Sequence, residues 1–451
     1  MAAVCLSEGL HTFIKGIKER HPGDREFHQA VFEVAQDIIP FMDKNPIYRE
    51  KRIFERLTEA DRIIIFRVTW EDDQGVIHTN RGYRIQHSNA IGPYKGGIRF
   101  RAPLRLSVLK ALAFEQTFKN SLTGLPMGGA KGGANFNPKG KSDREIMKFC
   151  QQYMTELSRY IGPNLDIPAG DIGVGEREIS YMFGQYKKIK NEFSGALTGK
   201  GVSFGGSLIR KEATGYGCAY MLEFVLKEQN QRLEGKSVAV SGAGNVAIHA
   251  IEKLVNKGAN VITVSDSSGF VYAPKGLAEK DVEELKILKF EKRGRISQFA
   301  KDRGLRYFSG KKPWAVPCDI ALPCAIQNEI SDSDAKTLIM NGCRFFLEGA
   351  NIPCTPEAVH TIMASKRVFI PGKAANAGGV AVSGLELTQN SMRLSWTEEE
   401  LDLRLKEIMA DIHATIVKYG REHDGYVNYK KGANIGAFLK VADAMLSCGT
   451  V

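Results

Sequence analysis

The residues best suited to chemistry in this chain are lysines framed by glycines. Lys131 lies in Pro126-Met-Gly-Gly-Ala-Lys-Gly-Gly133, just after an expected helix. Glycine lets the backbone curve tightly and a substrate come close, and a lysine held there carries a charge whose pKa its surroundings can lower. Lys131 is therefore the first candidate for a catalytic residue. Lys95 stands in a second frame, Ile91-Gly-Pro-Tyr-Lys-Gly-Gly97, and Lys119 lies between them in Phe114-Glu-Gln-Thr-Phe-Lys-Asn120. A solvated lysine on a flexible loop would explain one such stretch taken alone. Three lysines converging on a small site would suit a substrate with more than one carboxylate. A phosphate-cradling Walker loop is excluded, since it needs Gly-Lys-Ser/Thr and Lys131 is preceded by Ala130 and followed by Gly132.

Two further residue types belong with these lysines. Gln116 and Lys119 are three apart and share one face of a helix. Asp171, in Ile167-Pro-Ala-Gly-Asp-Ile-Gly-Val-Gly175, is either a helix cap or a buried proton carrier. Beside a lysine-rich site, a carboxylate is what general acid/base chemistry requires.

The elements that must position them follow from periodicity. Apolar residues at three and four over 26–60 predict a docking or oligomer helix, and β-rich runs at 63–70 and 76–87 predict a hairpin leading into the loop that carries Lys95. Ser107 is placed to cap a helix running to about Asn120, ended by Gly124 and Pro126. Lys131 then falls in a loop, followed by a helix over 142–160 whose first turn holds Asp143 and Glu145. From Thr198 a glycine- and serine-rich stretch marks a domain junction before a helix with Thr214 and Tyr216.

A strand at 236–241 then runs into Gly242-Ala-Gly244-Asn-Val-Ala247, a helix to about Asn256, and a second strand at 261–265. This is βαβ order, with Gly242 and Gly244 letting a pyrophosphate sit close to a helix N-terminus. Runs at 320–322 and 345–347 predict further parallel strands whose C-terminal ends, Asn351 among them, face the cofactor. Pro371 to Glu386 is again glycine-rich, holding Asn376 and one buriable hydroxyl, Ser383; its plain reading is a tight helix–helix contact. The fold class is α/β with two domains. An N-terminal α/β substrate and oligomerisation domain covers 1–200, a Rossmann-like dinucleotide-binding domain 201–375, and C-terminal helices at 376–451 return to the first domain.

Composition bounds the function. The chain has 451 residues, 43% hydrophobic and 25% charged, an ordinary globular mixture. Its net charge of +11 is scattered among acids without a basic run, and an anionic substrate and cofactor account for much of the excess, so no nucleic-acid partner is expected. The cysteines (Cys5, Cys150, Cys218, Cys318, Cys324, Cys343, Cys354, Cys448) show no C-x-x-C pair and no Cys/His cluster. Reduced thiols and no metal are expected. No run has the apolar length of a membrane helix, and Glu8, Glu19, Asp24 and Glu26 are unlike an organelle transit peptide. A cytoplasmic protein without a membrane partner is expected.

With these pieces assembled, the chain resembles the small hexameric glutamate dehydrogenases, in the Glu/Leu/Phe/Val dehydrogenase superfamily, along nearly its whole length. The resemblance is carried by Gly92-Pro-Tyr-Lys-Gly-Gly97, the Lys131 stretch, Pro168-Ala-Gly-Asp171 and Gly372-Lys-Ala-Ala-Asn376-Ala-Gly-Gly379. It implies that Lys95 and Ser383 hold the substrate side-chain carboxylate, that Gln116 and Lys119 hold the α-carboxylate end, and that Gly170 contacts substrate. It further implies that Lys131 is catalytic, that Asp171 moves a proton, and that Thr214 and Asn245 contact the cofactor, with Asn351 and Asn376 placed there too. One departure is Ala130, where many relatives carry a third glycine. The implied reaction is reversible oxidative deamination of L-glutamate to 2-oxoglutarate and ammonium by a homohexamer.

NADP is expected rather than NAD. Asp266 sits where an NAD enzyme places an acid for the ribose 2′-hydroxyl, which argues against NADP. Ser267 and Ser268 follow it, however, and Lys289, Lys292, Arg293 and Arg295 form a basic cluster that Lys139 of the first domain could join around a 2′-phosphate. The Ser-Asp-Ser-Ser stretch is similar to that of NADP-specific relatives, which leaves Asp266 a structural role accepting bonds from backbone N–H groups. Two rivals remain. A leucine, valine or phenylalanine dehydrogenase should have an apolar pocket in place of Lys95 and Ser383, and a catalytically silent nucleotide-binding scaffold should not keep Lys131 with Asp171.

Overall fold

A computed structural model describes residues 8–450; Cys5 lies outside them. The chain divides into two compact units. The first runs to Leu208 and takes in Ser383–Thr397 and the chain from Asn434; the second comprises Ile209–Val382 and Glu398–Ala433.

In the first unit, strands β1 (Arg62–Glu71), β2 (Ile77–Ser88), β3 (Tyr94–Phe100), β4 (Gly129–Ala134) and β5 (Asp166–Gly170) form one sheet in the order β1-β2-β4-β3-β5. The β1–β2 hairpin pairs antiparallel from Arg62 opposite Gln86 to Glu71 opposite Ile77, while β3 lies parallel to both β4 and β5. Lys95 and Lys131 therefore sit on strands, not in loops as their glycine frames suggested. Glycines read as turn-formers serve here as strand residues without side chains, where a neighbour comes close.

Register explains the convergence. Ile98 of β3 pairs with Gly132 on one side and Gly170 on the other. Because side chains alternate across a strand, Lys95, Gly97 and Arg99 face away from Ile98, as does Lys131 next to Gly132. Asp171 follows Gly170 on that same face. On the opposite face, Ile98 and Phe100 pack with Phe149, Tyr153, Ile179 and Met182 from the helices Asp143–Leu157 and Glu176–Lys190. The first of these helices has a capping box between Ser142 and Glu145.

The helix Leu106–Leu122 lies over the lysine face, through Leu109 and Ala113 against Tyr83 and Ile85. Its N-cap position is Arg105, not Ser107; Ser107 lies inside the first turn and its hydroxyl donates to Glu26 Oε2 at 2.7 Å. The expected 26–60 helix is broken into Arg25–Lys44, Pro46–Glu50 and Ile53–Leu57. Pro46 lies at a helix start, where its missing N–H is not needed.

The second unit is built on a sheet of β6 (Ser237–Val240), β7 (Asn260–Asp266), β8 (Gly269–Tyr272), β9 (Arg306–Ser309), β10 (Ile320–Leu322), β11 (Phe345–Leu347) and β12 (Val368–Ile370). Its order is β12-β11-β10-β6-β7-β8-β9. Strands β7, β6, β10, β11 and β12 are parallel, with β8 and β9 antiparallel at one edge. This is the doubly wound arrangement, and β6 and β10 flank the point at which the strand order reverses. Ala239, Ile262, Ala321, Phe346 and Trp314 share one of its cores.

The C-terminal expectation is corrected in part. The helix Glu398–Gly420 belongs to the second unit, where Asp402 accepts from Tyr220 at 2.6 Å and from Lys253 at 2.9 Å. An amphipathic pattern says that a helix has a buried face but not which partner covers it. The last helix, Tyr429–Cys448, is part of the first unit from Asn434 on. Asn434 Nδ2 donates to Asp37, and the Ser121 hydroxyl to the Ala437 carbonyl. Among the described residues no helix is long and apolar enough to cross a membrane.

Candidate active site

Lys131, Asp171 and Arg99 meet on the lysine face of the first sheet. Asp171 Oδ2 lies 3.1 Å from Lys131 Nζ and accepts from Arg99 Nε at 2.8 Å. The three side chains are 8%, 16% and 11% exposed respectively. Burial disfavours the Lys131 ammonium and lowers its pKa, the Asp171 carboxylate opposes that, and the Arg99 and Arg84 charges reinforce it. For Asp171 burial works upward, but the Lys131 and Arg99 charges prevail and hold its carboxyl at about 2. The arrangement is a buried lysine with weakened hold on its proton, beside a carboxylate that stays ionised.

The strands under this cluster are tied together from the other face. Arg84 of β2 donates to both oxygens of Asp166 on β5, at 2.9 and 2.5 Å, and to the Gly96 carbonyl at 3.0 Å. Both members of this ion pair are fully buried.

Lys95 and Ser383 are also brought together, through a residue that sequence reasoning did not single out. Lys95 Nζ donates to Thr198 Oγ1 at 2.6 Å, and that oxygen is 2.7 Å from Ser383 Oγ. All three residues are buried. Gln116 and Lys119 are half-buried on the overlying helix. The Gln116 amide turns along its own helix to Asn120 at 2.7 Å. Asn120 in turn donates to the carbonyls of Lys95 and Gly128, at 3.0 and 2.5 Å, so it pins the helix to β3 and the approach to β4. Gly170 ends β5 next to Asp171.

In the second unit the turn after β6 is shaped as a cradle. Gly242 has φ +88 and lies against the Cys324 carbonyl. Gly244 is the N-cap of the helix Asn245–Asn256, without a side-chain cap bond, and a Cβ on it would meet no protein atom within 4 Å. Open space in front of uncapped helix N–H groups fits the pyrophosphate of a dinucleotide. Asn245 is exposed there, and Thr214 is half-buried in the first turn of the helix Ala213–Glu228. Asn376 Nδ2 donates to the Ala350 carbonyl and to Asn351 Oδ1, each at 3.1 Å.

At the end of β7, Asp266 accepts from the Ser268 N–H at 2.8 Å, from the Ser268 hydroxyl at 2.5 Å and from the Ile296 N–H at 3.2 Å. Burial raises its pKa, but these bonds and the Lys289 charge outweigh it, so the carboxyl lies below its ordinary range. Asp266 is thus occupied in holding its own turn. Ser267 receives a bond from Arg295 at 2.8 Å, and Lys289 Nζ is 3.9 Å from Asp266. Arg293 is exposed with φ +53 and does not join this contact; Lys139 is exposed in the first unit after β4.

Two family models match this chain: Glutamate/Leucine/Phenylalanine/Valine dehydrogenase over residues 205–449, and the dimerisation domain of Glu/Leu/Phe/Val dehydrogenases over residues 60–188. The chain belongs to this family. The NAD(P)-specific glutamate dehydrogenase of Xylanibacter ruminicola is 56% identical over 97% of the chain and 98% of its own length. The NADP-specific glutamate dehydrogenase of Haemophilus influenzae is 54% identical over 98% of each. A Bacteroides fragilis relative, 52% identical over 98% of the chain and all of its own length, is named NAD-specific. The crystal structure of Plasmodium falciparum glutamate dehydrogenase superposes with a TM-score of 0.96 at 47% identity, covering 98% of this chain and 95% of that one. Membership makes the chain an oxidoreductase acting on an amino-acid donor, with a substrate domain and a nucleotide-binding domain.

Sequence reasoning missed Arg99, Thr198 and Asn120. Arg99 was within reach, since four residues beyond Lys95 on a strand is the same face. Thr198 carries no local signal, because its partner Ser383 is 185 positions away.

Proposed function

We propose that this chain is an NADP-preferring glutamate dehydrogenase, converting L-glutamate, water and NADP reversibly to 2-oxoglutarate, ammonium and NADPH with release of a proton. The observation that carries glutamate over leucine, valine or phenylalanine is the buried contact of Lys95 with the Thr198 and Ser383 hydroxyls. Such a polar, cationic end of the pocket pairs with a distal carboxylate and leaves buried polar groups unmatched by an apolar side chain. Initial rates with glutamate and with leucine, each with both nicotinamide cofactors, test this; leucine turned over as well as glutamate overturns it.

In this reading Lys119 and Gln116 hold the α-carboxylate end, and Gly170 contacts the substrate through its backbone. Asp171 receives the substrate ammonium as a carboxylate and takes its proton. The substrate's own carboxylates offset the surrounding cations, which raises the affinity of Asp171 for that proton. When bound, NADP supplies the acceptor for the Cα hydride. Lys131, whose desolvation weakens its hold on its own proton, then takes, in its neutral form, a proton from the water that attacks Cα, and returns it as ammonia leaves.

Gly242, Gly244 and Asn245 form the pyrophosphate cradle, with Thr214, Asn351 and Asn376 as further cofactor contacts. The preference for NADP rests on Asp266, whose oxygens are engaged by backbone and hydroxyl donors. Ser267, Ser268, Lys289 and Arg293 of the same unit supply the donors and charge for the 2′-phosphate. The protein is cytoplasmic, serves ammonium assimilation and assembles as a homohexamer. Light scattering that shows a stable monomer at micromolar concentration would contradict the assembly.

A further inference from the structure

Three residues after Ser383 on the helix Gly378–Met392 stands Glu386, and its side chain is fully buried together with that of Lys200. Residues three apart lie on one helix face, so Ser383 and Glu386 are directed to the same stretch of chain. Glu386 Oε2 accepts from the Gly199 N–H at 2.8 Å, and Oε1 accepts from the Lys200 N–H at 3.4 Å and from Lys200 Nζ at 3.0 Å. Lys200 Nζ also donates to the Leu197 carbonyl. The chain on both sides of Thr198 is therefore fixed to one carboxylate, either directly or through Lys200. Thr198 itself is held by its N–H to the Pro168 carbonyl at 3.0 Å, and the turn is completed by Gly199 at φ +87.

We infer that Glu386, with Lys200, is a positioning residue for substrate specificity: it sets the Thr198 hydroxyl between Lys95 and Ser383, and so organises recognition of the distal carboxylate. The inference rests on the proposed reading of that site. A buried ion pair is a poor source of net stability, since desolvating both charges offsets their attraction, and an apolar pair of the same volume would join helix to chain at least as well. An apolar pair could not accept two successive backbone N–H groups or bind the Leu197 carbonyl. Those bonds fix the turn rather than its mere proximity to the helix. The result is geometric: a hydroxyl 2.6 Å from one group and 2.7 Å from another tolerates little displacement before one contact is lost.

The test is the double variant Glu386→Gln/Lys200→Met, which keeps the volume and leaves no unpaired buried charge, assayed with glutamate and with norvaline, which lacks the distal carboxylate. The expected result is a KM for glutamate raised about tenfold or more with kcat within about threefold, and kcat/KM for norvaline within about threefold of the parent. A structural role alone would lower both substrates alike, and that result overturns the inference, as does an unchanged KM for glutamate. If the double variant does not fold, Gly199→Ala decides. At φ +87 alanine strains the turn, and its nearest neighbour would be Ile179 Cγ1 at 3.9 Å, so only the geometry around Thr198 is perturbed. The same KM split is expected there, and its absence rejects the inference. Lys95→Leu, run in parallel, separates the two levels. If it leaves the preference for glutamate intact, the reading of the site fails; if it abolishes that preference while the other variants keep the parental KM, only the role of Glu386 fails.

Discussion

Replacing Arg99 with Met would remove the guanidinium that shares Asp171 Oδ2 with Lys131. Since the two nitrogens reach that oxygen at 2.8 and 3.1 Å, they are at most about 6 Å apart, where like charges repel by about 3 kcal/mol at an effective dielectric near 20 and by about 0.7 kcal/mol in bulk water. Because both side chains are well buried, the repulsion lies nearer the larger figure. The sign is fixed by the charges. Arg99 disfavours protonated Lys131, so its removal raises the lysine pKa. In the proposed mechanism the neutral lysine is the base, so the acidic limb of the kcat/KM profile moves to higher pH. Asp171 also loses a partner and rises from about 2, but stays ionised across the assay range. At a pH below the limb, kcat/KM should fall several-fold or more and recover toward its plateau as the pH is raised; Arg99→Lys, which keeps the charge, should leave the limb in place. A limb that stays put or moves down in Arg99→Met, with only a pH-independent loss, would refute the electrostatic reasoning and leave Arg99 a purely steric role.

The remaining predictions address the other assigned groups. Lys131→Ala should lower kcat by about 10²–10⁴-fold while cofactor affinity, measured by fluorescence titration, stays within a few fold; a kcat near the parent removes Lys131 from the chemistry. Lys95→Leu combined with Ser383→Val should shift preference from glutamate toward norleucine-like side chains, because the distal carboxylate loses its partners and the pocket becomes apolar; kcat/KM ratios for the two substrates report it, and an unchanged ratio rejects the assignment. kcat/KM should be higher with NADP than with NAD, and Lys289→Ala with Arg293→Ala should weaken NADP while sparing NAD. Equal losses with both cofactors would show that these cations hold something other than the 2′-phosphate.

Much of this architecture was legible in the sequence because it is locally encoded. The hairpin, the helix at 142–160 and the βαβ unit around Gly242 each carry their own period, caps or turn residues, and each lies within a few residues of its expected bounds. The structural role expected of Asp266 was legible too, because a serine two residues on is a short-range donor. What could not be read was encoded at a distance. Thr198 joins Lys95 across 103 positions, and Arg84 finds Asp166 across 82. The helix Glu398–Gly420 has an apolar stripe that fits either unit, and only the contacts of Asp402 with Tyr220 and Lys253 assign it.

The glycine frames themselves show how a correct choice of residue can rest on an incomplete reason. They marked Lys95 and Lys131 as chemical, on the expectation of tightly curving loops that let a substrate come close. In the fold they are strand positions whose missing side chains let other elements come close. A Cβ at Gly129 would overlap Thr117 of the covering helix, and one at Gly97 would lie 2.8 Å from Asp171 Cβ. The lysine stem is consequently enclosed, which costs the ammonium its hydration and lowers its pKa. The same closeness delivers the carboxylate to 3.1 Å. Glycine thus acts here as space for packing, and the dense packing around Lys131, rather than looseness, is what makes this lysine fit to give up a proton.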